Sequence, residues 1–233
     1  MVSLSRNTLV DSDKETLETR GWLSSQPAAF RHAVLEAAQT FNLARGDVIY
    51  RLDDPPGGLY AVCEGFLDVL VAIHPDTPQF VHVARKGWWV GDAALITDTP
   101  RRAGLTARTE ARIAYVPKEA MLRICGDNPD GWRHVAKLTV SMFDHALRIM
   151  SAQKLETPED RVSATLLLLV GEGQLFGRGS EGEQAEFPLS QLDISDLTGL
   201  SRNAVGPVLR RLQTKGAIEL GYRHFKIVDR RLL

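Results

Sequence analysis

Residues 188–218 read PLSQLDISDLTGLSRNAVGPVLRRLQTKGAI, two short helices about a glycine turn. Ser190 is placed to cap the first helix, with Asp193 three residues on. Leu192, Leu197 and Leu200 supply an apolar face. Thr198-Gly199 marks the turn, where glycine takes a positive φ at little cost. Ser201 then caps a second helix, with Val205, Val208, Leu209 and Leu212 on one side and Arg202, Asn203, Arg210 and Arg211 elsewhere. This is the pattern of a helix-turn-helix whose second helix enters a DNA major groove. Taken alone it also fits a plain helical packing unit. The residues that follow argue for more. Ala217-Ile218-Glu219-Leu220, a turn at Gly221-Tyr222-Arg223-His224, and Phe225-Lys226-Ile227-Val228 form a short hairpin, the wing of a winged helix.

Charge separates the two ends of the chain. Residues 189–233 carry eight basic and four acidic side chains, a net +4, whereas the other residues carry 20 basic and 25 acidic, a net −5. The total of −1 therefore hides a polarised molecule. A basic module on an acidic body suits contact with a phosphate backbone at one end only.

The 233 residues suffice for one large or two medium domains, and 44% hydrophobic with 24% charged residues is ordinary globular composition. The longest apolar run, residues 164–170, is far too short to span a bilayer, so no membrane role is expected. The start, MVSLSRNTLVDSDKETLETR, has no apolar core of a secretory signal. Cys63 and Cys125 stand far apart and make neither a disulfide framework nor a metal-ligand pattern. Cys63 reads as a small buried hydrophobe. The expectation is a cytoplasmic protein with reduced thiols and no metal. Nothing resembles a nucleophile elbow, a Walker loop or an HExxH helix, so an enzyme is not expected.

Upstream of the wing, residues 8–20 are polar and read as ill-ordered or loosely helical. Residues 27–40 (PAAFRHAVLEAAQT) read as an amphipathic helix with Phe30, Val34, Leu35 and Ala38 inward. Short β segments follow at 47–50, 59–63, 66–73, 80–84, 89–90, 104–107 and 111–116, broken by Gly, Pro and Asp. That spacing predicts an antiparallel sandwich or jelly roll with a hairpin tip at 74–79. His82, in an alternating strand, reads as a solvated or cross-strand histidine, and one ring of Trp88-Trp89 as core.

Asn128 and Pro129 then begin a long helix that runs to about Lys154. Trp132, Val135, Thr139, Met142, Ala146, Ile149 and Gln153 recur at steps of three and four, an a/d seam that predicts homodimerisation. Leu138, Phe143, Leu147 and Met150 lie beside the seam, so the helix also has apolar surface for its own domain. Thr157-Pro158-Glu159-Asp160 starts another helix, which places a hinge at about 155–157. Residues 171–186 read as an exposed, Gly-rich acidic loop or hairpin. The expected domains are 1–127, 128–156 and 157–233.

Together these features resemble the cyclic-AMP-receptor/fumarate–nitrate-reduction (Crp/Fnr) family of bacterial transcription regulators. The carriers, in order, are RGDVIY at 45–50, GLYAV at 58–62 with Gly65, GDAAL at 91–95, PRRA at 100–103, the long helix, DRV at 160–162 and GLSRNAVG at 199–206. The resemblance implies an α+β architecture. It comprises an N-terminal jelly-roll β domain of the cyclic-nucleotide-binding type, a long central dimerisation helix and a C-terminal winged helix-turn-helix. It also implies a homodimer that binds near-palindromic double-stranded DNA and recruits or blocks RNA polymerase.

The family's cyclic-nucleotide site uses a Gly-Glu pair and an Arg-Ser pair for ribose and phosphate. Here the cassette holds Gly91, Asp92 and Ala93, then Arg101 and Arg102, so Asp92 stands for Glu and Arg102 for Ser. The family's adenine-reading Thr-Ser pair falls on Ala146-Leu147, which has no polar side chain. Losing partners for a base edge forfeits much discrimination. Cyclic AMP sensing is therefore not expected, and no cofactor is assigned. Two readings stay open: another anionic ligand on Arg101 and Arg102, or a relic pocket with Arg101 paired to Asp92 or Glu110. The family's cysteine-rich iron–sulfur branch is excluded, because no cysteine precedes Cys63.

For DNA, the resemblance places Arg202 where the family reads guanine, and its fork can take O6 and N7 together. Asn203 replaces a family Glu, which changes the expected base from cytosine to adenine. Ser190 and Ser201 are expected to meet phosphates. Pro207 replaces a second base-reading arginine, so the helix either starts near Asn203 or is kinked there.

Overall fold

Short apolar stretches cut by Gly, Pro and Asp cannot propagate helices, and they satisfy their backbone by pairing edge to edge. The computed structural model describes residues 7–72, 74, 77–171 and 185–233. It opens with β1 (Asn7–Thr8), α1 (Asp11–Thr19), α2 (Gly21–Ser24) and α3 (Ala28–Ala37), which lead into β2 (Gln39–Leu43). Then come β3 (Val48–Tyr50), β4 (Leu59–Glu64), β5 (Phe66–Val71), β6 (Gln79–Arg85), β7 (Trp89–Val90), α4 (Asp92–Thr97), β8 (Gly104–Ala107) and β9 (Ala111–Val116). The strands form two antiparallel sheets, ordered β1-β2-β9-β4-β7 and β3-β8-β5-β6.

Period-two alternation sorts the side chains. Val62 and Ile113 join Phe41, Leu67, Ala84 and Leu105 in a core between the sheets. Their chain neighbours Ala61, Cys63 and Ala114 turn to the other face. There they meet Trp89 of β7 and Leu17, Leu23, Phe30, Met121, Val135 and Leu138 from the surrounding helices. Trp89 is 1% exposed and sits edge-on to Trp22 at 5.3 Å.

Three readings of this region need correction. Residues 8–20 hold a nine-residue helix rather than loose chain, because Leu17 enters the core and the buried Asp13 carboxylate accepts from Arg112 Nε on β9 at 2.8 Å. The helix expected over 27–40 stops at Ala37, and Gln39–Leu43 pairs with β9 instead. Of the two readings of His82 the solvated one falls, because the side chain is buried with its ring 4.6 Å from Trp88, while its strand pairs it across to Val69 on β5.

Two more helices follow, α5 (Lys118–Asp127) and α6 (Gly131–Gln153). Asn128 ends the first rather than starting the second, and its side chain accepts from the Asp130 N–H at 3.0 Å. The described chain divides into two compact units, one running to Met142 and the other from Phe143, so the dividing point lies within α6.

The second unit contains α7 (Pro158–Leu169), β10 (Ala185–Phe187), α8 (Gln191–Thr198), α9 (Arg202–Thr214), β11 (Ile218–Gly221) and β12 (His224–Ile227). Thr157 caps α7 by accepting from the Asp160 N–H, with Pro158 at the first helical position. The three strands form a sheet ordered β10-β12-β11. Strand β10, not read from the sequence, puts β12 in the centre and stacks Phe187 on Phe225 at 5.4 Å. The loop reading for residues 172–184 lies outside the described residues.

Candidate nucleic-acid interface and effector pocket

Helix α8 begins with a reciprocal cap. The Asp193 N–H donates to Ser190 Oγ at 3.3 Å, and the Ser190 N–H donates to Asp193 Oδ2 at 2.7 Å. The Ser190 hydroxyl also donates to that carboxylate at 2.6 Å. Its proton is therefore committed and sits beside a negative charge, which argues against the phosphate contact expected of Ser190. Gly199, at φ 65°, closes the helix in the left-handed region. Ile194 and Leu197 are buried, whereas Leu192, expected inward, is 44% exposed.

Helix α9 starts at Arg202, with Ser201 Oγ accepting from the Ala204 N–H at 3.3 Å. The later start considered for it does not occur. Pro207 sits inside the helix, exposed, and leaves the Asn203 carbonyl without its intrahelical donor. Val205, Val208, Leu209 and Leu212 are buried, and this anchors one face. Arg202, Asn203 and Ser201 stand exposed on the first turn. A contact that sequence reasoning missed fixes that turn: Gln191 Nε2 donates to the Arg202 carbonyl at 2.8 Å. Gly206 makes the approach possible, because a Cβ there would lie 2.7 Å from Gln191 Nε2. Nothing in the sequence signalled it, since the bond depends on the angle between two helices.

At the far end of α9, Arg211 and Lys215 both reach Glu159 at the start of α7, at 3.0 and 2.6 Å. Lys215 and Arg211 together hold the Glu159 carboxyl below its ordinary range.

In the β-rich unit, the cassette places Gly91 and Arg101 together. Arg101 is 4% exposed; its guanidinium donates to the Gly58 carbonyl at 3.1 Å and the Gly91 carbonyl at 3.4 Å. It lies 4.4 Å from the Tyr50 ring centre and 5.5 Å from that of Tyr60. Gly91 has φ 104°, and a Cβ on it would meet the Gly58 carbonyl at 2.6 Å and the guanidinium at 2.9 Å. The ion pair considered for Arg101 with Asp92 or Glu110 is replaced by these carbonyls, and Asp92 feels Arg101 only at longer range. Arg102 is exposed, so the two arginines do not pool their charge, while Ala93 is also exposed at the helix start.

Asp92 is buried, and desolvation raises its carboxyl above the usual range. The Thr139 hydroxyl on α6 lies beside it and favours the charged form, though without full hydrogen-bond geometry. Burial also raises the Tyr60 hydroxyl to about 12 and the Cys63 thiol to about 12, so both stay neutral.

Helix α6 corrects the expected seam. Val135 is fully buried in its own unit and so cannot face a partner, while half-buried Met142 packs in part against that core. Thr139 is half-buried beside Asp92, and Ile149 is half-buried. The exposed apolar stripe is Trp132, Val140, Phe143, Leu147 and Met150, with Ala136 and Ala146 also exposed. A heptad count finds an apolar period but does not say which phase the chain's own domain takes. No described helix is long and apolar enough to cross a membrane.

Residues 40–128 match the family model described as cyclic nucleotide-binding domain, and residues 160–233 that described as Crp-like helix-turn-helix domain. The CRP-like protein Clp of Xanthomonas campestris pv. campestris is 25% identical over 176 residues, which are 73% of this chain and 75% of Clp. The cAMP-dependent protein kinase regulatory subunit of Blastocladiella emersonii is 29% identical over 114 residues, 49% of this chain but only 28% of the subunit. Among solved structures, FixK2 from Bradyrhizobium japonicum superposes with a TM-score of 0.69 at 23% identity, covering 84% of this chain and 95% of FixK2. The CLP regulator of X. campestris gives 0.60 at 23% identity, covering 86% and 99%. At that identity the structural likeness speaks to the fold.

Proposed function

The chain belongs to the Crp/Fnr family of DNA-binding transcription regulators, which are not enzymes, and from that premise we propose that it acts as a homodimer on near-palindromic operators without sensing cyclic AMP. The observation that carries the DNA reading is the exposed first turn of α9. Arg202 and Asn203 project from it, held by the Ser201 cap and the Gln191 bond. Arg202 takes guanine O6 and N7, and Asn203 takes adenine N6 and N7. Ser201 and the α9 N-terminus meet the phosphate beside them. Two copies pair along the exposed stripe of α6, which sets half-sites about 34 Å apart. RNA polymerase is the partner that the bound dimer recruits or obstructs, in the cytoplasm. Residues 1–127 form the effector domain, 128–156 the dimerisation helix and hinge, and 157–233 the DNA-binding domain.

Selection of bound sequences from random duplex DNA tests this reading. The winning sites should be inverted repeats. In a gel-shift series Arg202→Ala should lose specific binding, and Pro207→Arg should alter or tighten it. Unchanged operator affinity for Arg202→Ala would count heavily against this docking.

The absence of a cyclic AMP response is supported by what the cassette does instead. The Arg101 guanidinium is engaged by two carbonyls and a tyrosine ring, and Asp92 is turned toward Thr139. A second reading, a different anionic effector, is favoured by the same buried guanidinium, whose polar partners are carbonyls rather than a carboxylate. One protein of similar fold is described as responsive to cyclic di-GMP. Calorimetric titration with cyclic AMP, cyclic GMP and cyclic di-GMP separates the two, since micromolar saturable binding of any of them would overturn the relic reading.

A further inference from the structure

A proline inside a helix removes a backbone bond and crowds the turn before it, and Pro207 is exposed, so no packing within its own unit offsets that loss. Its place on α9 is specific. Four residues carry a helix about 40° round and about 6 Å along, so Pro207 stands one turn beyond Asn203 on nearly the same line. Arg210 and Thr214 continue that line, and all four residues are exposed. The buried Val205, Val208, Leu209 and Leu212 lie on the opposite side. The row is therefore the outermost part of α9, and Pro207 is its one apolar member. Gly206 beside it faces a cleft of about 270 Å³ between α9 and the β11–β12 hairpin, which Gln191, Arg210 and Arg223 also line.

The unit holds this turn in spite of the proline. Pro207 has no N–H for the Asn203 carbonyl, but the adjacent Arg202 carbonyl takes a bond from Gln191 Nε2 at 2.8 Å, a donor outside the helix. Gly206 leaves the opening for that amide, since a Cβ there would lie 2.7 Å from Nε2 and 3.4 Å from Cδ. Gly206-Pro207 thus sets the two weakest helix formers side by side in the middle of α9, and the neighbouring helix braces them. A helix braced to keep a proline at its outermost point has a use for the ring outside its own fold.

We propose that the Pro207 ring reads a thymine by packing on its C5 methyl, and that Gln191 is the positioning residue that keeps Arg202 and Asn203 in register beside it. The inference rests on the reading that α9 enters the major groove, where thymine alone displays a methyl group. The proline side chain neither donates nor accepts a hydrogen bond, so apolar contact is all it offers a base edge. A step of about 6 Å along the helix corresponds to one or two base steps of about 3.4 Å. The thymine therefore lies one or two steps from the adenine taken by Asn203.

The test uses the full-length protein and duplexes built on the site recovered by selection. Each thymine is changed in turn, in both half-sites, to deoxyuridine, which lacks only the methyl. At one position wild type should lose roughly fourfold in affinity for each copy bound, and so more than roughly tenfold for the pair. At that position 5-methylcytosine should bind more tightly than cytosine by a similar factor. Pro207→Ser restores the backbone N–H and removes the ring, and it should bind thymine and uracil alike there. Gln191→Ala should lower the ratio of operator to random-duplex affinity severalfold in the wild-type background and much less beside Pro207→Ser. If no change to uracil weakens wild type, or Pro207→Ser keeps the discrimination, while Arg202→Ala loses the operator, the thymine inference falls and the major-groove reading stands. If the losses from Gln191→Ala and Pro207→Ser simply add, the positioning role of Gln191 is overturned. If wild type shows no sequence-specific binding to any duplex, both readings fall together.

Discussion

The effector cassette and the first turn of α9 use the same kinds of group to opposite ends. In the cassette an arginine is buried and its fork is spent on Gly58 and Gly91, while an acid is folded inward toward Thr139. On α9 an arginine and an asparagine are exposed, and the polar work of the turn is done by Ser201 and Gln191 behind them. A polar group satisfied internally stabilises the fold and is unavailable to a ligand, whereas one left to water awaits a partner. The comparison teaches that the presence of a family residue such as Arg101 does not by itself make a binding site. What counts is where its hydrogen bonds already go.

The sharpest way to break this contrast is Arg101→Ala. If the guanidinium is structural, its loss strands two buried carbonyls and opens a void against Tyr50, costing about 2–5 kcal/mol in thermal or urea unfolding. Operator preference should stay the same, and an unchanged melting curve would show a residue poised for a ligand. Next in size is acid sensitivity. Burial lowers His145, which lies between Asp144 and Arg148, from 6.5 to about 4, so the fold prefers the neutral ring. That stability is fully present above pH 6.5 and is lost as pH falls toward 4, by roughly 3 kcal/mol. Burial lowers His134 in the same direction. Asp92 works oppositely, because its raised folded value favours the protonated acid and its contribution fades as pH rises. Unfolding free energies across pH 4–7 for wild type and His145→Gln check this, and parallel curves would refute it.

On the displayed side, Arg202→Ala should cost about 1–3 kcal/mol in each half-site, which over the two copies removes specific binding, with melting temperature nearly unchanged. A large loss of stability instead would mean that Arg202 belongs to the satisfied class. The smallest effect expected is that of Ser190→Ala. It removes a cap worth about 1 kcal/mol of stability and should leave the salt dependence of DNA binding as it was. A shallower salt slope would restore Ser190 as a phosphate contact.

How much of this could be read beforehand follows the range of the forces involved. The Ser190-Asp193 cap, the Gly199 turn and the Ser201 start are local, and the letters carried them. The short strands and the wing were legible for the same reason. Asp13 looked like one more acid in a polar stretch, because its partner Arg112 lies 99 residues away. Strand β10 is three residues long and exists only through pairing with β12. The phase of the α6 stripe was lost because Val135 and Phe143 are equally apolar as letters, and only docking on the β domain separates them.

Glu159 deserves a last consequence, in terms of direction rather than strength. By offsetting one of the two charges on Arg211 and Lys215, it dims the positive field at the rear of α9, while Arg202, Arg210 and Arg223 stay bright at the front and along the cleft. A domain with charge on all sides would meet a polyanion in any attitude. This one is a lopsided magnet, so a glancing encounter with DNA turns the reading edge inward before any base is touched.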